Sequence, residues 1–296
     1  MKEHSWQPLA AVCTLAFASL CAMPANAQAS DVKEKLPMYS YVANWSIPRA
    51  QWADVDKANA ADAKILEKAV ASGSIVAFGD DTNLIHQPDG STHDNWWSAM
   101  SMAGLLNVLD EMYKAGTPTT SVLASATKHW DNIYVSRYYN WRSGSVKSGY
   151  THGSSYRLKA DAPDDAVESV SKNLIVPMME KLLADGTIAE YEVDTEAIHT
   201  ESPATFYIFY ISPNAEGLDK VNAALQERLK ANPLGGTAFG SMVDLTPHRD
   251  YLARTDATYK EFRTTFPARE RREFCGAARG PTSARQSDRL VYNDIS

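Results

Sequence analysis

The sequence predicts an α+β fold in which one βαββαβ unit occurs twice in tandem, the two units packed sheet to sheet. Three observations predict it: a stretch that repeats without a gap, the same succession of strand-period and helix-period apolar patterns in each copy, and a sheet face in each unit that needs a cover.

Residues 67–108 align with residues 180–221 without insertion, Glu67 on Glu180 through Val108 on Val221. Identical pairs include Gly73 and Gly186, Asp81 and Asp194, His86 and His199, and Gly104 and Gly217. Ungapped agreement that preserves glycines fits duplication of one structural unit.

The second copy reads more clearly. Ser155 to Lys159 can open it as a strand. Val167, Val170, Leu174, Met178 and Leu182 then follow helical spacing, and Gly186 stands where a left-handed C-terminal cap belongs. Pro177 should kink this helix or remove one of its hydrogen bonds. Ala189, Tyr191 and Val193 alternate with Glu190, Glu192 and Asp194, the period of a strand with one wet face. Phe206 to Ile211 is a second, more buried strand, Leu218, Val221, Leu225 and Leu229 mark another amphipathic helix, and Gly235 to Val243 can close the unit as a strand. The first copy fits the same order: Met38 to Ile47, a helix ending at Ser72, Ser74 to Ile85, His93 to Met102, a helix ending at Lys114, and a strand near Ser121 to Thr127.

That order is the ferredoxin-like motif, an antiparallel sheet with both helices on one face. Two such units, 37–131 and 154–255, can cover each other's bare sheet faces by stacking. Between them, residues 132–153 mix Tyr134, Tyr138, Tyr139, Trp141 and Tyr150 with Gly and Ser and read as an ordered aromatic connector.

This organisation resembles the dimeric α/β-barrel superfamily in the version with both halves on one polypeptide. The resemblance covers residues 37–255 and rests on element order and duplication. It implies a cavity, inside the barrel or between helices and sheet. It also implies a place among monooxygenase-like, haem-binding, haem-degrading or stress-response proteins, which makes haem or a transition metal a candidate cofactor.

The chain's two ends are unlike the repeats. Lys2, an apolar stretch from Leu9 to Met23, Pro24 and the small-residue site Ala25-Asn26-Ala27 read as a secretory signal, so a periplasmic or secreted product cleaved near Ala27 is expected. From Glu261 onward seven arginines, no lysine and no apolar periodicity read as a disordered tail or as the product of a reading-frame change. Of three cysteines only Cys275 lies beyond the signal, so no intrachain disulfide is expected in the mature chain. The formal charge of −7 argues against nucleic acid, and no stretch is expected to span a membrane. P-loop and dinucleotide fingerprints are absent, as are G-x-S-x-G and H-E-x-x-H, so no nucleotide is expected.

Histidines and aromatics supply the candidate site. Asp89-Gly90 is a hairpin signal, and counting outward sets His86 opposite His93, two imidazoles that a third ligand would turn into a metal site. His129 and Asp131, like His248 and Asp250, form His-x-Asp pairs after each last strand, either acid/base machinery or a polar clasp. Trp45, Trp96, Trp97 and Tyr207 are candidate walls for a flat apolar ligand, or core packing. The readings left open are a small-molecule enzyme dependent on haem or metal, a non-catalytic protein holding an apolar small molecule, and a structural or interaction domain.

Overall fold

The computed structural model describes residues 33–200 and 204–260. The signal segment and the arginine-rich tail expected above lie outside them.

The first unit runs β1 (Met38–Ser46), α1 (Trp52–Ser72), β2 (Ala77–Asn83), β3 (His93–Ala99), α2 (Met102–Ala115), a single-turn α3 (Ser121–Ala124) and β4 (Lys128–Trp141). The second runs β5 (Gly144–Leu158), α4 (Ala166–Val170), α5 (Val176–Ala184), β6 (Glu190–Glu196), β7 (Thr205–Ser212), α6 (Ala215–Ala231), α7 (Pro233–Met242) and β8 (Val243–Tyr259). The expected βαββαβ order holds in both.

Each unit orders its strands as the ferredoxin-like motif requires, β4-β1-β3-β2 and β8-β5-β7-β6. The two sheets face each other and also join at both edges, β2 pairing antiparallel with β8 and β4 with β6, which closes an eight-stranded barrel. Closure leaves no unpaired sheet edge, which is how such a barrel avoids edge-to-edge association.

The helices cover the outside. Val55, Leu66, Leu105, Val108 and Met112 pack on Tyr41, Ala43 and Trp97 in the first unit. Met178, Met179, Leu182 and Val221 pack on Tyr191, Val193, Phe206 and Ile208 in the second. A third cluster, with Met38, Tyr139, Trp141, Val146, Ile211 and Tyr259, gathers residues from strands of both units.

The duplicated glycines have geometric reasons. Gly73 and Gly186 end α1 and α5 with φ of 84° and 81°, the left-handed region that other residues enter at a cost. Gly104 and Gly217 lie in the first turns of α2 and α6, whose N-caps Ser101 and Asn214 accept from their amides. A Cβ there would stand 2.5 Å from Ser74 O and 2.6 Å from Thr187 O.

Four expectations are corrected. Residues 132–153 are no connector: they run through β4 and β5, with Arg142 and Ser143 between the strands. A register shift in the β4·β6 pairing between Ser136 and Tyr138 breaks the alternation that would have marked a strand. The strand expected at Ser121 to Thr127 is largely α3, and the pairing begins at Lys128. The strand expected at Gly235 to Val243 is α7, begun by Pro233 in its first turn and by Asn232, which accepts from the Gly235 amide.

Finally, the β2–β3 hairpin is not tight. Thr82 pairs with His93, the Asn83 amide donates to Thr92 O at 2.9 Å, and the residues between, His86 included, form a loop. Asn83 holds that loop through its Nδ2, which donates to Ser91 O and to Asp94 Oδ2. Around Pro177 the helix changes as expected, with a π-helical turn at Ser171–Ile175 separating α4 from α5.

Candidate functional site

Strand alternation decides what the barrel encloses. With Tyr191 and Val193 turned to the helices, Glu190, Glu192 and Asp194 must point inward, and all three are buried. The face expected to be wet therefore lines the lumen. Asp81 on β2 and Asp94 on β3 do the same from the other unit. These carboxyls border a cavity of about 240 Å³ whose apolar walls include Val42, Trp96, Tyr134, Tyr207 and Phe209.

Hydroxyl groups donate to four of the five carboxyls. Tyr251 Oη donates to Asp81 Oδ2 at 3.0 Å and to Asp94 Oδ2 at 2.8 Å, one proton serving two acceptors. Thr151 Oγ1 donates to Asp81 Oδ1, Ser40 Oγ to Glu192 Oε2, and Tyr259 Oη to Glu190 Oε2 at 2.5 Å. Asp94 Oδ1 and Asp194 Oδ1 are buried without a partner. No lysine or arginine is buried among the described residues, so no internal cation balances the cluster.

Burial without a counter-cation favours the protonated acid. Desolvation pushes Asp94 up to about 6 and Asp81 up to about 7, the neighbouring Asp94 charge adding to the rise at Asp81. Burial pushes Asp194 up to about 7 and, with the Asp194 charge, Glu192 up to about 8. Glu190 rises well above the usual range, from burial first and the Glu192 charge second. Near neutral pH the lumen thus holds a mixture of carboxylic acids and carboxylates that can give or take protons.

The repeat shows where the halves diverge. Asp81 and Asp194 correspond, but Ala77 and Gly79 stand where the second unit has Glu190 and Glu192, and Asp94 and Trp96 stand where it has Tyr207 and Phe209. Trp96 lies over Gly79, where an added Cβ would meet its ring at 2.5 Å.

The candidate residues named from sequence divide accordingly. Trp96 and Tyr207 line the lumen; Trp45 and Trp97 instead border a second cavity of about 210 Å³ on the helix side of the sheet, with Trp97 stacked on Tyr41 at 4.4 Å. The His-x-Asp pairs have equivalent geometry in the two units. His129 stacks on Trp45 at 3.7 Å with Nδ1 3.0 Å from Asn44 O and Nε2 3.3 Å from Asp131. His248 stacks on Tyr156 at 4.5 Å with Nδ1 2.9 Å from Ser155 O and Nε2 3.4 Å from Asp250. Each ring ties its unit's last strand to its first, the geometry of a clasp. Asp250 also borders the lumen, where it accepts from Ser154 Oγ at 2.7 Å.

His86 and His93 do not oppose each other across the hairpin. Both approach Trp52, each with ring centroids 5.4 Å from it, and His93 Nδ1 is 3.0 Å from Thr92 Oγ1. Burial lowers His93 to about 4, so it stays neutral near pH 7. No three His, Cys, Asp or Glu among the described residues converge as a metal site would require.

The haem or transition-metal candidate is tested by the imidazoles the cavities offer. No histidine borders the lumen, and His129, at the helix-side cavity, has Nδ1 3.0 Å from Asn44 O and Nε2 3.3 Å from Asp131. The lumen offers no imidazole to ligate a haem.

Carboxyls and Tyr251 are what the sequence reading missed. The available signal was the strict alternation Glu190, Glu192, Asp194, which a closed barrel turns inward.

The barrel formed by two ferredoxin-like halves on one chain is the dimeric α/β-barrel fold. Among solved structures the chain is similar to a "putative monooxygenase" from Lactobacillus acidophilus, with 12% identity, TM-score 0.56, and coverage of 76% of this chain and 98% of that one. An anthrone oxidase-like protein aligns with 10% identity, TM-score 0.42, and coverage of 75% and 92%. A chlorite dismutase from Candidatus Nitrospira defluvii aligns with 11% identity, TM-score 0.40, and coverage of 73% and 90%. At these identities the likeness is one of fold. No protein-family model and no curated protein matches the chain. No helix among the described residues is long and apolar enough to cross a membrane.

Proposed function

We propose that the chain binds a small organic molecule with an aromatic or apolar frame inside the barrel, where the lumen carboxyls exchange protons with it. The observation that carries this reading is the lumen itself, a cavity of about 240 Å³ with apolar walls and a few convergent polar groups, the usual makeup of a small-molecule site. The Leu9–Met23 stretch and the Ala25-Asn26-Ala27 site support export of the protein that does this.

A catalytic reading is favoured by one constellation. Asp81 and Asp94 share the Tyr251 hydroxyl and sit at about 7 and about 6, values suited to accepting or delivering a proton near neutrality. On this reading one of the two carboxylates takes a proton from the ligand, and Tyr251 holds the pair in register. No step is routed through haem or a metal ion.

The test is a fragment screen by thermal shift, run on the full chain and on Val42→Trp, whose indole would fill the lumen. Fragments that stabilise the wild type and fail to stabilise the variant support the site. Stabilisation that is equal in both places the ligand elsewhere.

A further inference from the structure

Two aromatic rings of the lumen lean into space that glycines leave free. Trp96 on β3 and Phe209 on β7 correspond in the repeat, and in the strand order of the closed barrel β3 and β7 stand opposite each other. Both rings border the cavity. Trp96 is paired with Val42 on one neighbouring strand and Gly79 on the other, and Phe209 with Glu192 and Gly153. Each ring occupies the place that its glycine partner's side chain would take. An added Cβ would stand 2.5 Å from Trp96 Cζ2 at Gly79 and 2.4 Å from Phe209 Cε1 at Gly153.

Glycine inside a strand costs stability, so its presence needs a reason. At Gly79 the backbone supplies one, because a Cβ would also stand 2.8 Å from Asp256 O. Gly153 is different. Beyond its chain neighbours, the three atoms nearest its Cβ position all belong to the Phe209 ring. It has no positive φ, and its pairings with Phe209 and Tyr251 lie clear of the register shifts in β5. What Gly153 provides is room for that ring.

That room sets the width of the lumen. Carbon atoms pack at about 3.5–4.0 Å, so a methyl group at position 153 would displace the Phe209 ring by about 1 Å or more. Tyr134 and Tyr207 stand with ring centroids 5.9 Å from it, which leaves the cavity as the open direction. A cavity of roughly 150 Å³ holds one benzene ring. The lumen, at about 240 Å³, has room for a second ring while Phe209 stays against the wall.

We propose that Gly153 is a specificity-determining residue of the lumen, keeping Phe209 back so that the site admits a two-ring aromatic molecule. This inference rests on the lumen being the binding site, and the test separates the two.

Calorimetric titration of the full chain at pH 7 uses two neutral probes that differ in size, phenol and 2-naphthol. The wild type is expected to bind 2-naphthol about 10-fold tighter. Gly153→Ala should weaken 2-naphthol about 10-fold and leave phenol within about two-fold, because a methylene's worth of space in an apolar pocket carries an effect of that size. Adding Phe209→Leu to Gly153→Ala returns the space and should restore 2-naphthol. Should Gly153→Ala fail to fold, Phe209→Leu alone decides, since the wider lumen should bind the three-ring 9-phenanthrol about 10-fold tighter than the wild type does.

Equal loss of both probes in Gly153→Ala, or loss of neither, with Val42→Trp still abolishing binding, would overturn the role of Gly153 and leave the lumen as the site. So would 2-naphthol binding no tighter than phenol to the wild type, a selective loss that Phe209→Leu does not restore, or 9-phenanthrol binding no tighter to Phe209→Leu than to the wild type. If neither probe binds, or if both bind Val42→Trp unchanged, the lumen reading falls as well.

Discussion

Asp81 on β2 and Asp94 on β3 are direct cross-strand partners, and their carboxyls share the hydroxyl of Tyr251 from β8. Like charges placed opposite each other in a sheet repel, and burial amplifies the cost. The pair is stable in the barrel only while one member keeps a proton or a cation is near.

Replacing one of them should therefore stabilise the protein at high pH. Asp81→Asn keeps an acceptor oxygen and removes a charge, and a gain of about 1–3 kcal/mol is expected at pH 8.5 with little change at pH 5. Urea unfolding at the two pH values measures it. A loss of stability at pH 8.5 would show that the charge is compensated in a way the geometry does not reveal.

The whole lumen predicts a pH dependence with a definite sign. Asp94, Asp81 and Glu192 stand at about 6, about 7 and about 8 in the folded chain, above the ordinary carboxylate range of about 4. The folded state thus binds more protons than the unfolded one between those values. Their contribution is complete below the ordinary range and is lost as pH rises through about 6 to 8. The urea midpoint should fall from pH 5.5 to pH 8.5, and Glu192→Gln should flatten the fall.

The two His-x-Asp pairs should behave as clasps. His129→Ala and His248→Ala each remove a stacked ring and a strand-to-strand contact, at a cost of about 1–2 kcal/mol. They lie in different units and share no partner, so the double variant should be additive. Ligand binding in the lumen should survive His129→Ala. Loss of binding there, with stability unchanged, would restore a role in chemistry.

Gly217→Ala tests the duplicated helix starts. The added Cβ would stand 1.9 Å from Ser212 Oγ and 2.6 Å from Thr187 O, a main-chain oxygen that cannot swing away. Destabilisation of about 1–3 kcal/mol is expected from thermal melts, as for other overpacked sites.

The architecture was legible because duplication and periodicity are local signals. Gly73 and Gly186 announced their helix ends, and both copies displayed the element order. Strand boundaries were less legible where a non-local partner decides them. Tyr134 to Trp141 join a sheet whose other strands lie far along the chain, and the register shift after Ser136 hides the alternation.

The site was hidden by one assumption. Glu190, Glu192 and Asp194 alternate with apolar residues, and charged residues in such a pattern usually face water. Only closure of the barrel, through the pairings of β2 with β8 and β4 with β6, turns that face inward. His93 misled in the opposite sense, because Asn83 binds Ser91 and Asp94 and so lengthens the hairpin loop beyond what Asp89-Gly90 suggested. Asp81 and Asp194, a pair kept by the duplication, both border the lumen.

The most direct test of the account is a crystal structure of the protein grown with a fragment that stabilises the wild type and not Val42→Trp. Electron density for the fragment between Trp96, Tyr134 and Phe209 is the predicted result. A fragment seated instead in the helix-side cavity behind Trp45 and Trp97, with the lumen holding solvent alone, would contradict it.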